Sequence, residues 1–256
     1  MPSFLSAGIE LAYHVHGEGR PILLIHGFAS SGAINWLNTG WVEALNKARW
    51  QAITIDNRGH GASQKLYDPR LYHAHEMADD AARLLDHLQL GTVPVMGYSM
   101  GARIGAFLSI RQPERVRCLV MGGLGINLLT GLADSEEIIS ALTADSLDEV
   151  QGATGRQFRI FADHSKSDRA ALAACMVSSR EPFPSEWTGR ITQPVLVAVG
   201  ENDDTGGDPH DLARLLPNAE AFVIPKRNHM LATADPKFKA AALAFLERNG
   251  SSAGQK

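Results

Sequence analysis

The sequence predicts an α/β fold in which a mostly parallel β-sheet is flanked by helices. Short apolar runs alternate with segments of helical periodicity, and the runs lie at 21–25, 50–56, 93–98, 116–121 and 195–199. Buried parallel strands joined by crossover helices produce this alternation. The chain has 256 residues, of which 45% are hydrophobic and 20% charged. It therefore suits one large domain, or one domain with a modest insertion.

The remaining elements of the first half follow from turns and periodicity. Two short strands are predicted at 3–7 and 9–15, with Gly8 as the turn between them. A short helix is predicted at 41–47. A longer helix is predicted at 74–89, because its apolar residues recur on one side at helical spacing.

The second half continues the same alternation. The helix after the 93–98 strand is predicted to reach about Arg111, since Pro113 marks its stop. A helix at 209–216, a strand at 219–224 and a helix at 236–249 complete the chain.

The stretch from 127 to 189 departs from this pattern, because it has no strong strand signal. We predict an inserted helical lid at 127–189, with the core of the fold formed by 1–126 and 190–256. Helical pieces are predicted within the lid at 135–142, 147–152, 155–162 and 167–178.

Composition narrows the class of partner. The formal net charge is −4 and no basic run is present, so the sequence gives no electrostatic reason to expect binding to nucleic acid or to an anionic membrane. Cys118 and Cys175 lie in apolar segments and are predicted to be buried core residues. With no basic N-terminal leader and no long apolar span, a cytoplasmic protein is the simplest expectation. The sequence does not indicate an oligomeric state.

The strongest chemical signal is a Gly-x-Ser-x-Gly pattern at 97–101, placed between a strand and a helix. A sharp turn there would hold Ser99 at its apex, and Gly97 and Gly101 would let strand and helix approach closely. The helix N-terminus would offer backbone N–H groups to a developing oxyanion. The pattern alone also fits a serine that caps the helix. The assignment therefore depends on partners elsewhere in the chain.

Those partners follow other predicted strands. A serine hydroxyl needs a base to accept its proton, and the base needs an orienting carboxylate. His26, Asp203 and His229 come directly or nearly after strands, as Ser99 does. Since ligands on such sheets sit at the carboxyl ends of the strands, we expect these residues at one rim.

The chain resembles the α/β-hydrolase fold superfamily, particularly esterases and lactonases with a short helical lid. The resemblance is carried by HGF at 26–28, DNRGHGAS at 56–63, GYSMG at 97–101 and GEND at 200–203. The order serine, acid, histidine is also that of this superfamily.

The resemblance implies a role for each matching residue. Ser99 would be the nucleophile, His229 the general base and then acid, and Asp203 the carboxylate that orients the histidine. The backbone N–H groups of Phe28 and Met100 would form the oxyanion hole. Serine rather than aspartate at the turn favours acyl transfer to water. No cofactor and no metal is expected.

Other residues near these motifs have less defined roles. His26, Tyr98, Phe158 and Trp187 are candidates for substrate contact. His60 and His26 are expected to shape loops near the site by hydrogen bonding.

Three local expectations come with the motifs. Asp56 and Arg58 are expected to pair with each other and hold the loop after their strand. Glu201 and Asp204 compete with Asp203 for the role of acid, and are expected to be exposed loop carboxylates. Asn228 occupies the position before the histidine, where the family often has glycine. It is expected to adopt the left-handed turn conformation that asparagine tolerates.

The predicted function is cofactor-free hydrolysis of a small carboxylic ester through an acyl-enzyme on Ser99. Two alternatives stay open. One is hydrolysis of a carbon–carbon bond or an enol-lactone in a ring-cleavage product, with Arg156, Arg159 or Arg180 of the lid binding a substrate carboxylate. The other is a ligand receptor or signalling protein on a hydrolase scaffold.

Overall fold

The computed structural model describes residues 2–131 and 134–250. The predicted core and lid ranges also include residues 1, 132–133 and 251–256, which lie outside the described residues. The strands, numbered β1–β8 in chain order, are Ser3–Ser6, Ile9–His16, Arg20–Ile25, Trp50–Ile55, Val93–Tyr98, Val116–Gly122, Val195–Gly200 and Ala219–Ile224.

The helices, numbered α1–α10 in chain order, are Trp41–Lys47, Ala74–His87, Met100–Arg111, Asn127–Thr130, Ser135–Thr143, Ala153–His164, Arg169–Ser178, Pro209–Leu215, His229–Ala232 and Pro236–Asn249. A π-helical turn at Ala33–Leu37 was not predicted. Turns of 3₁₀ helix lie at Pro69–Tyr72, Pro113–Arg115, Leu147–Glu149 and Ser185–Arg190. Across the described residues, no helix has the length and apolar character that a membrane span requires.

The strands form one sheet in the order β1-β2-β4-β3-β5-β6-β7-β8. The pairs among β1, β2 and β4 are antiparallel, and every pair from β4 to β8 is parallel. Strands β5 and β7 are buried along their whole length, since helices cover both faces of the sheet. The predicted α/β-hydrolase architecture, with a mostly parallel sheet flanked by helices, is confirmed.

Caps and prolines fix where several helices begin. Asp208 and Asp235 precede Pro209 and Pro236, and each carboxylate accepts backbone N–H bonds from the first turn. A proline at the first helical position costs nothing, because its missing N–H would have no partner in the helix. These caps set the ends of the loops that follow β7 and β8.

The segment between β6 and β7, which we call the insertion, contains α4–α7 and has no strand among its described residues, 127–131 and 134–189. Helix α7 packs on the core, where the Cys175 Sγ atom lies 3.9 Å from the Met100 Sδ atom. Cys118 and Cys175 are both buried, as predicted, and burial raises the pKa of each thiol to about 12. The division into core and lid stays a prediction.

Arg103 joins both ends of the insertion to α3. Its guanidinium donates to the backbone carbonyls of Leu128 at 2.9 Å, Glu181 at 2.5 Å and Asn127 at 3.1 Å. Burial lowers the pKa of Arg103 to about 9, which leaves it charged at neutral pH. A charged donor with several carbonyl partners ties the insertion to the helix that begins directly after Ser99.

The expected pair of Asp56 and Arg58 is wrong. Arg58 Nε lies 2.5 Å from Asp80 Oδ2 on α2, and its Nη2 lies 2.8 Å from Asp80 Oδ1. The Asp56 carboxylate instead accepts the backbone N–H groups of Gly32 at 2.7 Å and Ala62 at 2.8 Å. The two side chains point in different directions, so Arg58 pairs with α2 whereas Asp56 bonds the backbone of its own loop and of the loop after β3.

Asp80→Leu is expected to lower the free energy of unfolding by about 3–5 kcal/mol, because it leaves the Arg58 charge buried without its carboxylate. Both side chains are almost fully buried, with exposed fractions of 1% and 3%. The double variant Arg58→Met/Asp80→Leu should recover most of the loss, since it removes both charges. Urea unfolding of the two variants and the wild type measures this. A double variant less stable than Asp80→Leu would contradict the interpretation.

Candidate active site

Ser99 lies at the junction of β5 and α3 with φ of 53° and ψ of −111°. A left-handed conformation of this kind at a non-glycine residue costs about 1–3 kcal/mol and persists only where the surroundings hold it. The Ser99 N–H donates to the Gly122 carbonyl at 2.8 Å on the neighbouring strand. A Cβ atom at Gly97 or Gly101 would overlap the backbone carbonyls of Gly101 and Ile25 respectively. The turn therefore needs both glycines, as the sequence pattern predicted.

The structure brings Ser99, His229 and Asp203 together. His229 Nε2 lies 3.0 Å from Ser99 Oγ, and His229 Nδ1 lies 2.9 Å from Asp203 Oδ2 and 3.0 Å from Oδ1. The carboxylate fixes which ring nitrogen carries the proton, so Nε2 is left free to accept one from the serine. The arrangement can activate the serine hydroxyl as a nucleophile.

Asp203 differs from its two neighbouring carboxylates in burial and contacts. Its side chain is 0% exposed, and Oδ1 also accepts the Gly206 N–H at 2.9 Å. Glu201 accepts the Lys226 N–H at 2.7 Å, and both Glu201 and Asp204 are exposed. Of these three carboxylates, the structure places Asp203 alone against His229.

The expectation for Asn228 is wrong, because its backbone is extended, with φ of −90° and ψ of 180°. Its side chain caps the short helix α9 by accepting the Leu231 N–H at 3.0 Å. His229 is the first residue of that helix, which the sequence did not predict. A helix N-cap is another position that asparagine favours, and here it orients the histidine.

Phe28 and Met100 lie where the two oxyanion donors are expected, after β3 and at the start of α3. Within the described chain, neither backbone N–H has a backbone partner. The loop that contains Phe28 is held by Asn35, whose Oδ1 accepts the Gly27 N–H at 2.9 Å. Sequence reasoning missed Asn35, which lies in the π-helical turn and carries no motif.

His26 connects two loops of the rim and does not line the cavity at Ser99. It is 0% exposed, its Nδ1–H donates to the Gly27 carbonyl at 2.7 Å, and its Nε2 accepts the Asn57 N–H at 2.9 Å. Burial lowers the pKa of His26, and lowers that of His60 to about 3, so both rings are neutral at neutral pH. The structure therefore leaves His26 no free nitrogen for a substrate.

A cavity of about 220 Å³ contains Ser99 and His229. Tyr98 and Phe158 line it, as suggested for substrate contact, whereas Trp187 packs against Phe107 and Phe183 away from it. Tyr98 also donates its hydroxyl to the His229 carbonyl at 2.5 Å. Further lining residues that the sequence did not indicate are Ile34, Asn35, Thr39, Met230 and Thr233.

The three arginines suggested for carboxylate binding have different surroundings. Arg159 is buried and bonds Asp163 together with the carbonyls of Ala141 and Ala144. Arg156 is exposed and donates to the Leu147 carbonyl. Of the three, Arg180 is the one that lines the cavity at Ser99.

One group of side chains could offer three ligands to a cation. His73, His75 and Glu181 each place a ligand atom within 4.8 Å of the others. His73 Nδ1 already lies 2.9 Å from Glu181 Oε1, and the two imidazole rings stack at 5.2 Å between centroids. The contact between these two half-exposed side chains accounts for this arrangement.

The chain belongs to the α/β hydrolase fold family, whose sequence pattern matches residues 20–150. It is 37% identical over 125 residues to a 2-hydroxymuconate semialdehyde hydrolase of Pseudomonas sp. strain CF600, an alignment that covers 48% of this chain and 43% of that protein. The chain thus spans less than half the length of this curated relative.

Two further comparisons extend over nearly the whole chain. A 2-hydroxy-6-oxo-6-(2'-aminophenyl)hexa-2,4-dienoic acid hydrolase of Metapseudomonas resinovorans is 26% identical over 270 residues, covering 95% of this chain and 89% of that protein. The crystal structure of a hydrolase from Pseudomonas aeruginosa superposes with a TM-score of 0.79 at 23% identity, covering 96% and 97% of the two chains. At that identity the superposition supports the fold alone.

Proposed function

We propose that this protein is a serine hydrolase that cleaves a small carboxylic ester without a cofactor. The observation that carries the proposal is the contact of His229 Nε2 with Ser99 Oγ at 3.0 Å while Nδ1 is held by the buried Asp203. This arrangement of Ser99, His229 and Asp203 provides the base and the orienting carboxylate that a serine nucleophile needs.

In the proposed reaction, Ser99 Oγ attacks the ester carbonyl carbon while its proton passes to His229 Nε2. The carbonyl oxygen becomes an oxyanion that accepts hydrogen bonds from the Phe28 and Met100 N–H groups. The intermediate then collapses, and the bond to the leaving oxygen breaks as His229 returns the proton to it. Water repeats the sequence on the acyl-enzyme, releasing the carboxylic acid and restoring Ser99.

The cavity at Ser99 supports a small acyl group. Its volume of about 220 Å³ is below the roughly 300–1,000 Å³ that drug-sized ligands occupy. Phe158 and Tyr98 provide apolar walls. A volume of this size suits an acyl chain of a few carbons.

The second candidate is hydrolysis of a ring-cleavage product or an enol-lactone. It is favoured by the names of two relatives, a semialdehyde hydrolase and a dienoic acid hydrolase. Ser99, His229 and Asp203 would serve in either reaction. The two candidate functions therefore differ only in the bond that is broken.

A short p-nitrophenyl ester is expected to give a burst of p-nitrophenol, about one equivalent per chain, if deacylation is slower than acylation. Mass spectrometry of the acid-quenched protein should then find the acyl group on the peptide containing Ser99. The peptide containing Ser109, a buried serine on the same helix, is the internal control and should stay unmodified. Turnover of the ester with no acyl group at Ser99 under any quench condition, together with no reaction of Ser99 with a fluorophosphonate, would reject the proposal.

An inert Ser99 would point instead to the receptor class. A receptor should bind its ligand without consuming it, and ligand-dependent partner binding should persist in Ser99→Ala. The fluorophosphonate reaction separates the two classes directly, because it requires an activated serine but no substrate recognition.

A further inference from the structure

Arg180 is a buried cation that faces the proposed nucleophile. It follows α7 near the end of the insertion, it is 8% exposed, and it lines the same 220 Å³ cavity as Ser99. Its Nε atom is fully buried and has no hydrogen-bond partner. Among the described residues, none forms an ion pair with the guanidinium.

The charge of Arg180 persists despite this burial. Desolvation lowers its pKa to about 10, which is still well above neutral pH. Its guanidinium carbon lies 5.7 Å from the centroid of the Phe28 ring. A ring contact of that kind compensates only a small part of what it costs to bury an unpaired cation.

Two other buried arginines each bond several acceptors, although the Nε atom of Arg103 also lacks a partner. Arg103 bonds three backbone carbonyls, and Arg159 bonds a carboxylate and two carbonyls. Arg180 has none of these partners and opens instead onto the cavity. Because buried charges in proteins are normally paired, the missing partner is best sought in a bound ligand.

The position of Arg180 relative to the scissile bond follows from the two cavities at His229. A larger cavity of about 570 Å³ lies next to the smaller one. The two share Phe158, Phe161, His229 and Met230, and only the larger one is lined by Asn202 and Asn228. In the proposed reaction the leaving group takes its proton from His229, so the larger cavity, which His229 also lines, can receive it. Arg180 lines only the smaller cavity, where its guanidinium lies over the ring of Phe28, the proposed oxyanion donor.

We propose that Arg180 binds a carboxylate on the acyl part of the substrate, so that the protein hydrolyses half-esters or lactones of short dicarboxylic acids. This inference rests on the proposed serine hydrolase function. The planar guanidinium matches a carboxylate with two parallel N–H···O bonds. Because the cavity is small, the carboxylate lies only a few bonds from the scissile carbonyl.

The first test compares two esters of the same shape. Monoethyl succinate carries a carboxylate where ethyl 4-methylpentanoate carries an isopropyl group. The wild type is expected to prefer the half-ester in kcat/KM. Arg180→Met should lower kcat/KM for the half-ester by about 10²-fold, as loss of a charge-assisted hydrogen bond implies, and should change the neutral ester by less than about 3-fold. Arg180→Lys should recover part of the loss.

A matched control and an inhibitor complete the experiment. Arg156→Met removes an exposed arginine of the same insertion, and it should leave kcat/KM for both esters unchanged. Free succinate should compete with the half-ester in the wild type, and much more weakly in Arg180→Met. Thermal unfolding of each variant checks that the fold is kept.

The possible outcomes distinguish failure of the carboxylate site from failure of the proposed serine hydrolase function. If the wild type forms the Ser99 acyl-enzyme but shows no preference for the half-ester, the carboxylate site is wrong and the hydrolase stands. An equal loss for both esters in Arg180→Met and Arg180→Lys would assign Arg180 a structural role and overturn the inference. No reaction at Ser99 with any ester or probe would overturn both. A carboxylate-bearing enol-lactone is assayed as a second substrate. The substrate with the higher kcat/KM shows whether an ester or a lactone is the preferred scissile group.

Discussion

Ser99→Ala is expected to lower kcat for a short p-nitrophenyl ester by about 10⁴–10⁶-fold, the range found when a serine nucleophile is removed. The variant loses the oxygen that forms the acyl-enzyme, and His229 has no other hydroxyl at 3.0 Å in the described structure. Residual hydrolysis would come from the oxyanion donors and binding alone. Steady-state kinetics with active-site titration of the wild type measures the ratio.

The fold should survive this change. The Ser99 side chain makes one hydrogen bond, to His229, while the backbone turn is held by the Gly122 carbonyl. Ser109→Ala is the matched control, since Ser109 is a buried serine of α3 whose hydroxyl donates to the Gly105 carbonyl. It should retain wild-type kcat. If Ser99→Ala kept more than about a tenth of the wild-type kcat, the nucleophile would have to be another residue.

Asp203→Asn is expected to lower kcat by about 10⁴-fold. An amide has the same shape as the carboxylate, but its NH₂ group offers no acceptor to the His229 Nδ1–H, which favours the wrong tautomer of the ring. It also removes the negative charge that stabilises the imidazolium formed during attack. Comparing kcat of the variant and the wild type across pH 6–8, about one unit on each side of neutral, separates loss of the base from a shift in its protonation.

Asp204→Asn is the control for this prediction. Asp204 is the next residue along, is exposed, and does not contact His229 in the described structure. Its variant should change kcat by less than about 2-fold, the effect of a surface charge. Similar losses in the two variants would mean that the loop, rather than the Asp203 carboxylate, supports catalysis.

The fold and the grouping of Ser99, Asp203 and His229 were predictable because both depend on local signals. Parallel strands buried on both faces leave unbroken apolar runs, and the glycines around Ser99 are required by close backbone contacts at Gly101 and Ile25. Asp203 and His229 follow strands that end at the same rim. Strand ends and turn glycines are readable without knowing the tertiary structure.

Features that depend on distant contacts were not predictable in this way. Arg58 pairs with Asp80 across a separation of 22 residues, and Asp56, which is much nearer in sequence, was the natural but wrong choice. Asn228 could serve either a left-handed turn or a helix cap, and only packing decides between them. Arg180 was one of three lid arginines, and periodicity did not indicate which one would reach the cavity.

The attachment of the insertion to Arg103 has a consequence for how this scaffold can vary. Asn127, Leu128 and Glu181 all bond the same guanidinium, so the two ends of the insertion meet at one point of the core. Segments whose ends lie close together are readily exchanged between proteins. A replacement of the residues between these ends that keeps the packing of α7 on the core is therefore expected to change the side chains around the cavity while the sheet, Ser99, Asp203 and His229 stay in place.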